Sequence, residues 1–256
     1  MNDAKIVLLA GRGISTNILY NSLKNEFAIH SIILEEPVDK RTFIKKRINK
    51  FGVWKVTGQI LFQLIIAKIL HHSSSKRKNE ILKTFSLDPG PVPSEKITRV
   101  SSINDSQCLE LLQRIAPKIV VVNGTRIISK RILGSIDATF INMHAGITPK
   151  YRGVHGAYWS LVNGDKENCG VTVHVVDPGI DTGDVIFQAT IIPNDDDNFV
   201  TYPLLQLAAG LPGMKVAITD ILNDKMVKKP AVGESKLWSH PGFGQYLYHR
   251  MSKKIK

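Results

Sequence analysis

Three side chains of the kinds that do acyl chemistry, Asn142, His144 and Asp181, lie within residues 139–188. Residues 139–142 form an apolar run. A strand there delivers Asn142 and His144 two positions apart, so both point to one face at a sheet end. A second apolar run, 170–176, leads into Asp177-Pro178-Gly179-Ile180-Asp181-Thr182-Gly183. Its proline and glycines make a tight turn that can carry Asp181 back toward the first strand. An amide donor, an imidazole and a carboxylate gathered at one edge can stabilise an oxyanion and exchange a proton, which are the needs of acyl transfer. A lone histidine on an apolar strand is more often a core residue. The company of Asn142 and Asp181 reverses that weighting for His144. His174 divides evenly between structure and chemistry, and His155 between solvation and substrate contact. Cys169 has no neighbouring base and is given no nucleophilic role.

The elements that must position these groups follow from the apolar pattern. Residues 5–10 read as a strand, Gly11-Arg12-Gly13 as a turn, 15–25 as a helix and 29–34 as a second strand. That is a βαβ unit with a parallel sheet. Residues 106–115 read as a helix, 117–122 as another buried strand and 202–222 as a long helix, whereas Asp88-Pro89-Gly90-Pro91-Val92-Pro93 fits only a rigid loop. The expectation is an α/β chain, a Rossmann-like, mostly parallel sheet with helices on both faces. Its catalytic domain spans 1–230, a basic helical insertion and loop occupy 36–92, and a C-terminal extension covers 231–256. Gly11-Arg12-Gly13 suits a phosphate held at a helix N-terminus. With Glu35 at the end of the second strand, it also allows a nicotinamide-dependent oxidoreductase. Thr16 stands where the third glycine of that fingerprint belongs.

Composition narrows the classes. The 256 residues have 43% hydrophobic and 22% charged content, ordinary for a globular domain. Two cysteines cannot build a disulfide framework, so a reducing, cytoplasmic setting is expected, and the opening residues read as a strand rather than a leader. The formal net charge is +12, and residues 40–99 hold 14 Lys or Arg against three acids. Such an excess suits an anionic partner. The aromatics are not interleaved as in single-strand binders, which favours a phosphate-bearing small molecule over nucleic acid. The apolar stretch 53–70 is interrupted by Lys55, Gln59, Gln63 and Lys68. It reads as an amphipathic helix with one face buried, not as a membrane span. The acids near Asp181 lack calcium-loop spacing, and no metal is expected.

Residues 116–188 resemble the core of the folate-dependent formyltransferase family, whose members act on glycinamide ribonucleotide, methionyl-tRNA or sugar nucleotides. The resemblance rests on Asn142-x-His144, Pro149-Lys150-Tyr151-Arg152-Gly153, Thr172-Val173-His174 and Asp181 in that order. It implies a formyltransferase fold, 10-formyltetrahydrofolate as co-substrate, and Asn142, His144 and Asp181 as the catalytic trio. In the implied mechanism an amine attacks the formyl carbon, Asn142 and a protonated His144 stabilise the oxyanion, and Asp181 keeps His144 cationic. The folate would lie against Thr125, Arg126, Ile127 and Ile128 and against Val176, Asp177, Gly179 and Ile180. The acceptor would meet Gly11, Arg12, Gly13, Lys150, Tyr151, Arg152 and His155. Where many members read His-Pro-Ser-Leu-Leu-Pro, this chain reads His144-Ala145-Gly146-Ile147-Thr148-Pro149. The segment 144–156 most resembles the branch acting on nucleotide-linked 4-amino-4,6-dideoxyhexoses, GDP-perosamine among them, for a bacterial surface polysaccharide. The basic insertion would then contact the diphosphate. Glycinamide ribonucleotide is the alternative acceptor. Methionyl-tRNA ranks lower, because its enzymes carry a further domain. A sheet edge or the tail would allow a homodimer.

Overall fold

The computed structural model describes residues 4–256. It opens with β1 (Ile6–Gly11), α1 (Ile14–Leu23) and β2 (Ile29–Glu35). The basic stretch folds as α2 (Lys40–Phe51), α3 (Val53–Leu61), a π-helical turn at Phe62–Ala67, α4 (Lys68–Ser73) and α5 (Ser75–Thr84). Then come β3 (Ile97–Val100), α6 (Ser106–Ile115), β4 (Ile119–Asn123), α7 (Lys130–Leu133) and β5 (Thr139–His144). The rest comprises β6 (Arg152–Gly153), α8 (Gly156–Val162), β7 (Gly170–Val175), β8 (Val185–Thr190), α9 (Tyr202–Leu222), β9 (Leu237–Trp238) and α10 (Phe243–Lys253).

Seven strands form one sheet in the order β3-β2-β1-β4-β5-β7-β8. The pairs from β3 to β5 are parallel, and β5/β7 and β7/β8 are antiparallel. The fold is therefore the expected α/β architecture. Strand alternation builds two cores. Ile6, Leu8 and Ala10 of β1 face a cluster shared with α1, α8 and α9, whereas Val7 and Leu9 face Cys108, Leu112 and Ile132 on the other side. Each fully buried Leu or Ile contributes about 1.5–3 kcal/mol. β1 is buried on both faces, and its unbroken apolar run identifies it as a central strand. α9 closes tightly on the sheet, since a Cβ at Gly213 would lie 2.0 Å from Phe187.

Two stretches differ from the expectation. In the helical stretch Val53–Ser73, Val56, Gln59 and Phe62 are buried, so one face does pack on the domain. The outer face is not polar, however: Trp54, Leu61, Leu64, Ile65 and Ile69 all face outward. The polar-looking C-terminal residues are stitched to the domain rather than appended to it. β9 pairs in parallel with β6, Trp238 stacks on Trp159 at 4.8 Å, and Tyr246 is buried beside Phe62 and Tyr158. A few aromatics supply the buried area that average polarity concealed.

Candidate active site

Strand order reverses between β1 and β4, and α/β sheets open a crevice beyond the strand C-termini at such a point. Here the crevice is a cavity of about 470 Å³, walled by the residues that follow β1, β4, β5 and β7 and by the start of α9.

The antiparallel register sets Asn142 opposite His174 and His144 opposite Thr172, so Asn142, His144 and His174 share a face. Asp181 has φ of 51°, a left-handed conformation that Asp tolerates better than most residues. This turn brings its carboxylate to the strands. Asp181 Oδ2 lies 3.4 Å from His144 Nδ1 and accepts from the Gly153 N–H at 2.9 Å; Oδ1 lies 3.7 Å from His174 Nε2.

Backbone carbonyls fix both histidine tautomers. His144 Nε2 donates to the Tyr151 carbonyl at 2.7 Å, leaving Nδ1 toward Asp181. His174 Nδ1 donates to the Val175 carbonyl at 2.8 Å, so Nε2 accepts from Asn142 Nδ2 at 3.2 Å. An amide nitrogen has two hydrogens, and Asn142 keeps one for another acceptor. Gly146 makes the His144 contact possible, because a Cβ there would lie 2.2 Å from the Tyr151 carbonyl oxygen.

Burial pushes the His144 imidazole below its ordinary value, opposed only in part by the Asp181 charge and the Tyr151 carbonyl. Burial works to raise the Asp181 carboxyl, yet His174, the charge of His144 and the Gly153 N–H together hold it below the usual carboxylate value. Burial thus favours the neutral imidazole of His144, and the partners of Asp181 favour its carboxylate. The expected resting imidazolium is not what this burial favours.

Thr125, Arg126, Ile127 and Ile128 line the cavity, as do Val176, Asp177, Gly179 and Ile180. None of the seven residues expected at the acceptor lines it. Gly11 packs against Gly124, Gly13 precedes α1, and Arg12 pairs with Glu36 at 2.6 Å. Lys150 and the Tyr151 hydroxyl both bind Asp165, at 2.6 and 2.8 Å. Arg152 donates to the Ile180 carbonyl at 3.2 Å, steadying the loop before Asp181. His155 packs at a tilt against Phe199, ring centroids 4.1 Å apart, and meets His240 Nδ1 at 2.9 Å, so it holds the C-terminal segment. The insertion's cations are also absent from the cavity wall.

Glu35 is buried and fully engaged. Its carboxylate accepts from the backbone N–H groups of Ile103 and Arg126, both at 2.9 Å, and pairs with the Arg126 guanidinium. It anchors the 125–128 segment, is buried and does not line the cavity, so the nicotinamide alternative loses its support.

Sequence reasoning missed the roles of Ser15, Asn123 and Gln206 in shaping the cavity. Asn123 Nδ2 donates to Thr16 Oγ1 at 2.9 Å and to Ser15 Oγ at 3.2 Å, and Gln206 Nε2 donates to the Gly170 carbonyl at 2.5 Å. A lone polar residue closing an apolar strand, as Asn123 closes β4, was the available signal. Among the described residues no group of three His, Cys, Asp or Glu side chains is arranged to hold a metal ion.

The fold is an α/β sheet with an amide, two imidazoles and a carboxylate gathered at the β5–β7 wall of the cavity. Residues 59–206, more than half of the chain, match the family described as formyl transferase. The chain belongs to the formyl transferase family. It is 46% identical over 86 residues to a methionyl-tRNA formyltransferase of Finegoldia magna, a match covering 33% of this chain and 27% of that protein. The chain thus aligns with about a quarter of that relative's length. Among solved structures, a 4-N formyltransferase from Francisella tularensis superposes with a TM-score of 0.57 at 17% identity, over 92% of this chain and 76% of that one. An N-formyltransferase from Helicobacter canadensis, in complex with folinic acid and dTDP-3-aminofucose, superposes with a TM-score of 0.55 at 20% identity, over 92% and 71%. At such identities the likeness is one of fold.

Proposed function

We propose that this protein transfers a formyl group from 10-formyltetrahydrofolate to the primary amine of a nucleotide-linked 4-amino-4,6-dideoxyhexose, with GDP-perosamine the favoured acceptor. The observation that carries the proposal is the convergence of Asn142, His144 and Asp181 on a cavity also lined by residues 125–128 and by Val176, Asp177, Gly179 and Ile180. Those two backbone segments suit a flat heterocycle such as a pterin.

In this reaction the amine nitrogen forms a bond to the formyl carbon, and the carbonyl electrons move to oxygen. The free N–H of Asn142 meets the developing oxyanion. A preorganised donor of this kind is worth about 3–4 kcal/mol. The amine proton passes to Nδ1 of His144, where the 3.4 Å gap to Asp181 becomes a charge-assisted hydrogen bond. Collapse breaks the bond between the formyl carbon and the folate nitrogen, and that nitrogen takes the proton. Tetrahydrofolate and a formamide result, and the resting charges are restored. Residues 1–230 act as the catalytic domain, while 231–256 brace the loop that offers the Tyr151 carbonyl to His144.

Two features support a phosphorylated acceptor. Ser15 stands on the cavity wall, and α1 begins there without a side-chain cap, leaving N–H groups free for phosphate oxygens. A solved N-formyltransferase in complex with dTDP-3-aminofucose shares the fold. A second reading, methionyl-tRNA as acceptor, is favoured by the 46% identity over 86 residues. The deciding assay follows tetrahydrofolate release with GDP- and dTDP-linked amino sugars, glycinamide ribonucleotide and methionyl-tRNA. Turnover with a 4-amino sugar nucleotide is the expected result. Turnover only with glycinamide ribonucleotide or only with methionyl-tRNA overturns the acceptor, and no release with any of them overturns the reaction.

A further inference from the structure

We infer that the α2–α4 hairpin docks this protein onto the surface of an anionic lipid bilayer. Residues 40–79 carry eleven Lys or Arg and no Asp or Glu. α2 has no buried residue, and Lys45, Lys46 and Lys50 face solvent. After the turn at Gly52, which has φ of 82°, the outward face becomes apolar. Trp54 is 88% exposed, Leu64 66% and Ile69 59%, with Leu61 and Ile65 between them. Between α2 and α3 lies a slot of about 310 Å³ lined by Phe43, Ile44, Val56, Ile60 and Leu64, with Lys40 and Arg47 also on its wall.

Cations beside an outward apolar stripe with an exposed Trp form the pattern of an interfacial helix. Its apolar side chains enter the headgroup boundary while its cations meet lipid phosphates. The hairpin lies on the bilayer instead of crossing it, because its inner face is tied down. Val56 and Phe62 are buried, and Gln59 bonds Arg47 Nη2 and the His240 carbonyl, both at 2.6 Å. Charge argues against the other occupants. Two copies joined through this face would bring their cations together. A nucleic acid would match the cations but leave Leu61, Leu64, Ile65 and Ile69 without a partner.

The test is co-sedimentation of the full chain with phosphatidylcholine vesicles, with and without phosphatidylglycerol. Its readout is binding, so it succeeds or fails independently of the formyl-transfer reading. Binding is expected only to the anionic vesicles, weakening as salt rises, with a blue shift of tryptophan emission. Trp54→Phe should abolish the shift and keep the binding. Two outward-facing variants, Lys45→Gln/Lys46→Gln/Lys50→Gln and Trp54→Ser/Ile65→Ser/Ile69→Ser, should each lower partitioning by about tenfold or more. Unchanged circular dichroism would confirm that both remain folded. Failure to bind anionic vesicles, or equal binding by wild type and both variants, overturns the inference. So does tight binding of a short RNA hairpin, or self-association through this face, by a chain that ignores vesicles.

Discussion

The β5–β7 edge and the helical insertion use similar residues in opposite ways. At the β5–β7 edge every polar side chain of the site has a named partner behind it. The Tyr151 carbonyl holds His144, the Val175 carbonyl holds His174, His174 holds Asn142, and Gly153 holds Asp181. In the insertion the cations of α2 mostly face water, and large apolar side chains lie beside them unburied. A site needs side chains whose own partners fix their aim. A docking surface needs groups with partners still to be found.

That contrast breaks first at Asp181. Asp181→Asn keeps an oxygen for the Gly153 N–H and removes only the charge facing His144. A general acid–base contribution of this kind is worth about 10²–10⁴-fold. We expect kcat to fall about 10³-fold with little change in thermal midpoint. Near-normal turnover would show that the proton does not travel through this pair. Asn142→Ala removes the proposed oxyanion donor and should lower kcat by about 10²–10³. Single-turnover rates at saturating folate would separate that loss from weakened binding.

Glu35→Gln tests whether the cavity wall is built by its anchor. The amide keeps an acceptor but loses the charge that holds Arg126, so residues 125–128 should loosen. The expected result is a rise of about tenfold in KM for the folate, equivalent to ~1.4 kcal/mol, with kcat much less affected. An unchanged KM would mean that the segment holds its shape without the ion pair.

Histidines wholly or partly withdrawn from solvent give a pH signature. Burial pushes His144 down, His155 well down, and His240 to about 4. The unfolded chain protonates near 6.5 and so takes up protons that the fold refuses. Stability is therefore full above pH 6.5 and declines as pH falls from there toward 4. The slope is about 1.4 kcal/mol per pH unit for each such histidine. His240→Asn should flatten the decline in urea-unfolding midpoints between pH 6.5 and 5. An unchanged slope would remove His240 from the account.

The gathering of Asn142, His144 and Asp181 is legible in the sequence because its signals are local. Two residues two apart on a strand share a face, and Pro and Gly announce the turn at 177–183. The antiparallel pairing that sets His174 against Asn142 is not local, so His174 divided evenly between structure and chemistry. Lys150, Tyr151 and His155 sit close to the chemistry in sequence, yet Asp165 and His240 draw their side chains elsewhere. Only tertiary contacts reveal that. The insertion's outer face was misread because Lys and Gln at intervals suggest a solvated side. In three dimensions Gln59 is buried, and the apolar residues between the polar ones face out.

The smallest expected effect is also the sharpest check on the comparison. Lys45→Gln/Lys46→Gln/Lys50→Gln alters only α2 side chains that face solvent, and no α2 residue lines the cavity. In dilute solution with soluble substrates, kcat and KM should both stay within about twofold of wild type, since surface changes far from such features are usually nearly neutral. One long-range influence remains in this assay: removing three positive charges weakens the field that draws an anionic substrate in. That influence acts on kcat/KM and fades with added salt, as screening predicts. A loss in kcat that salt does not erase would mean that the insertion reaches the reacting groups, and the division of labour between the two regions would fail.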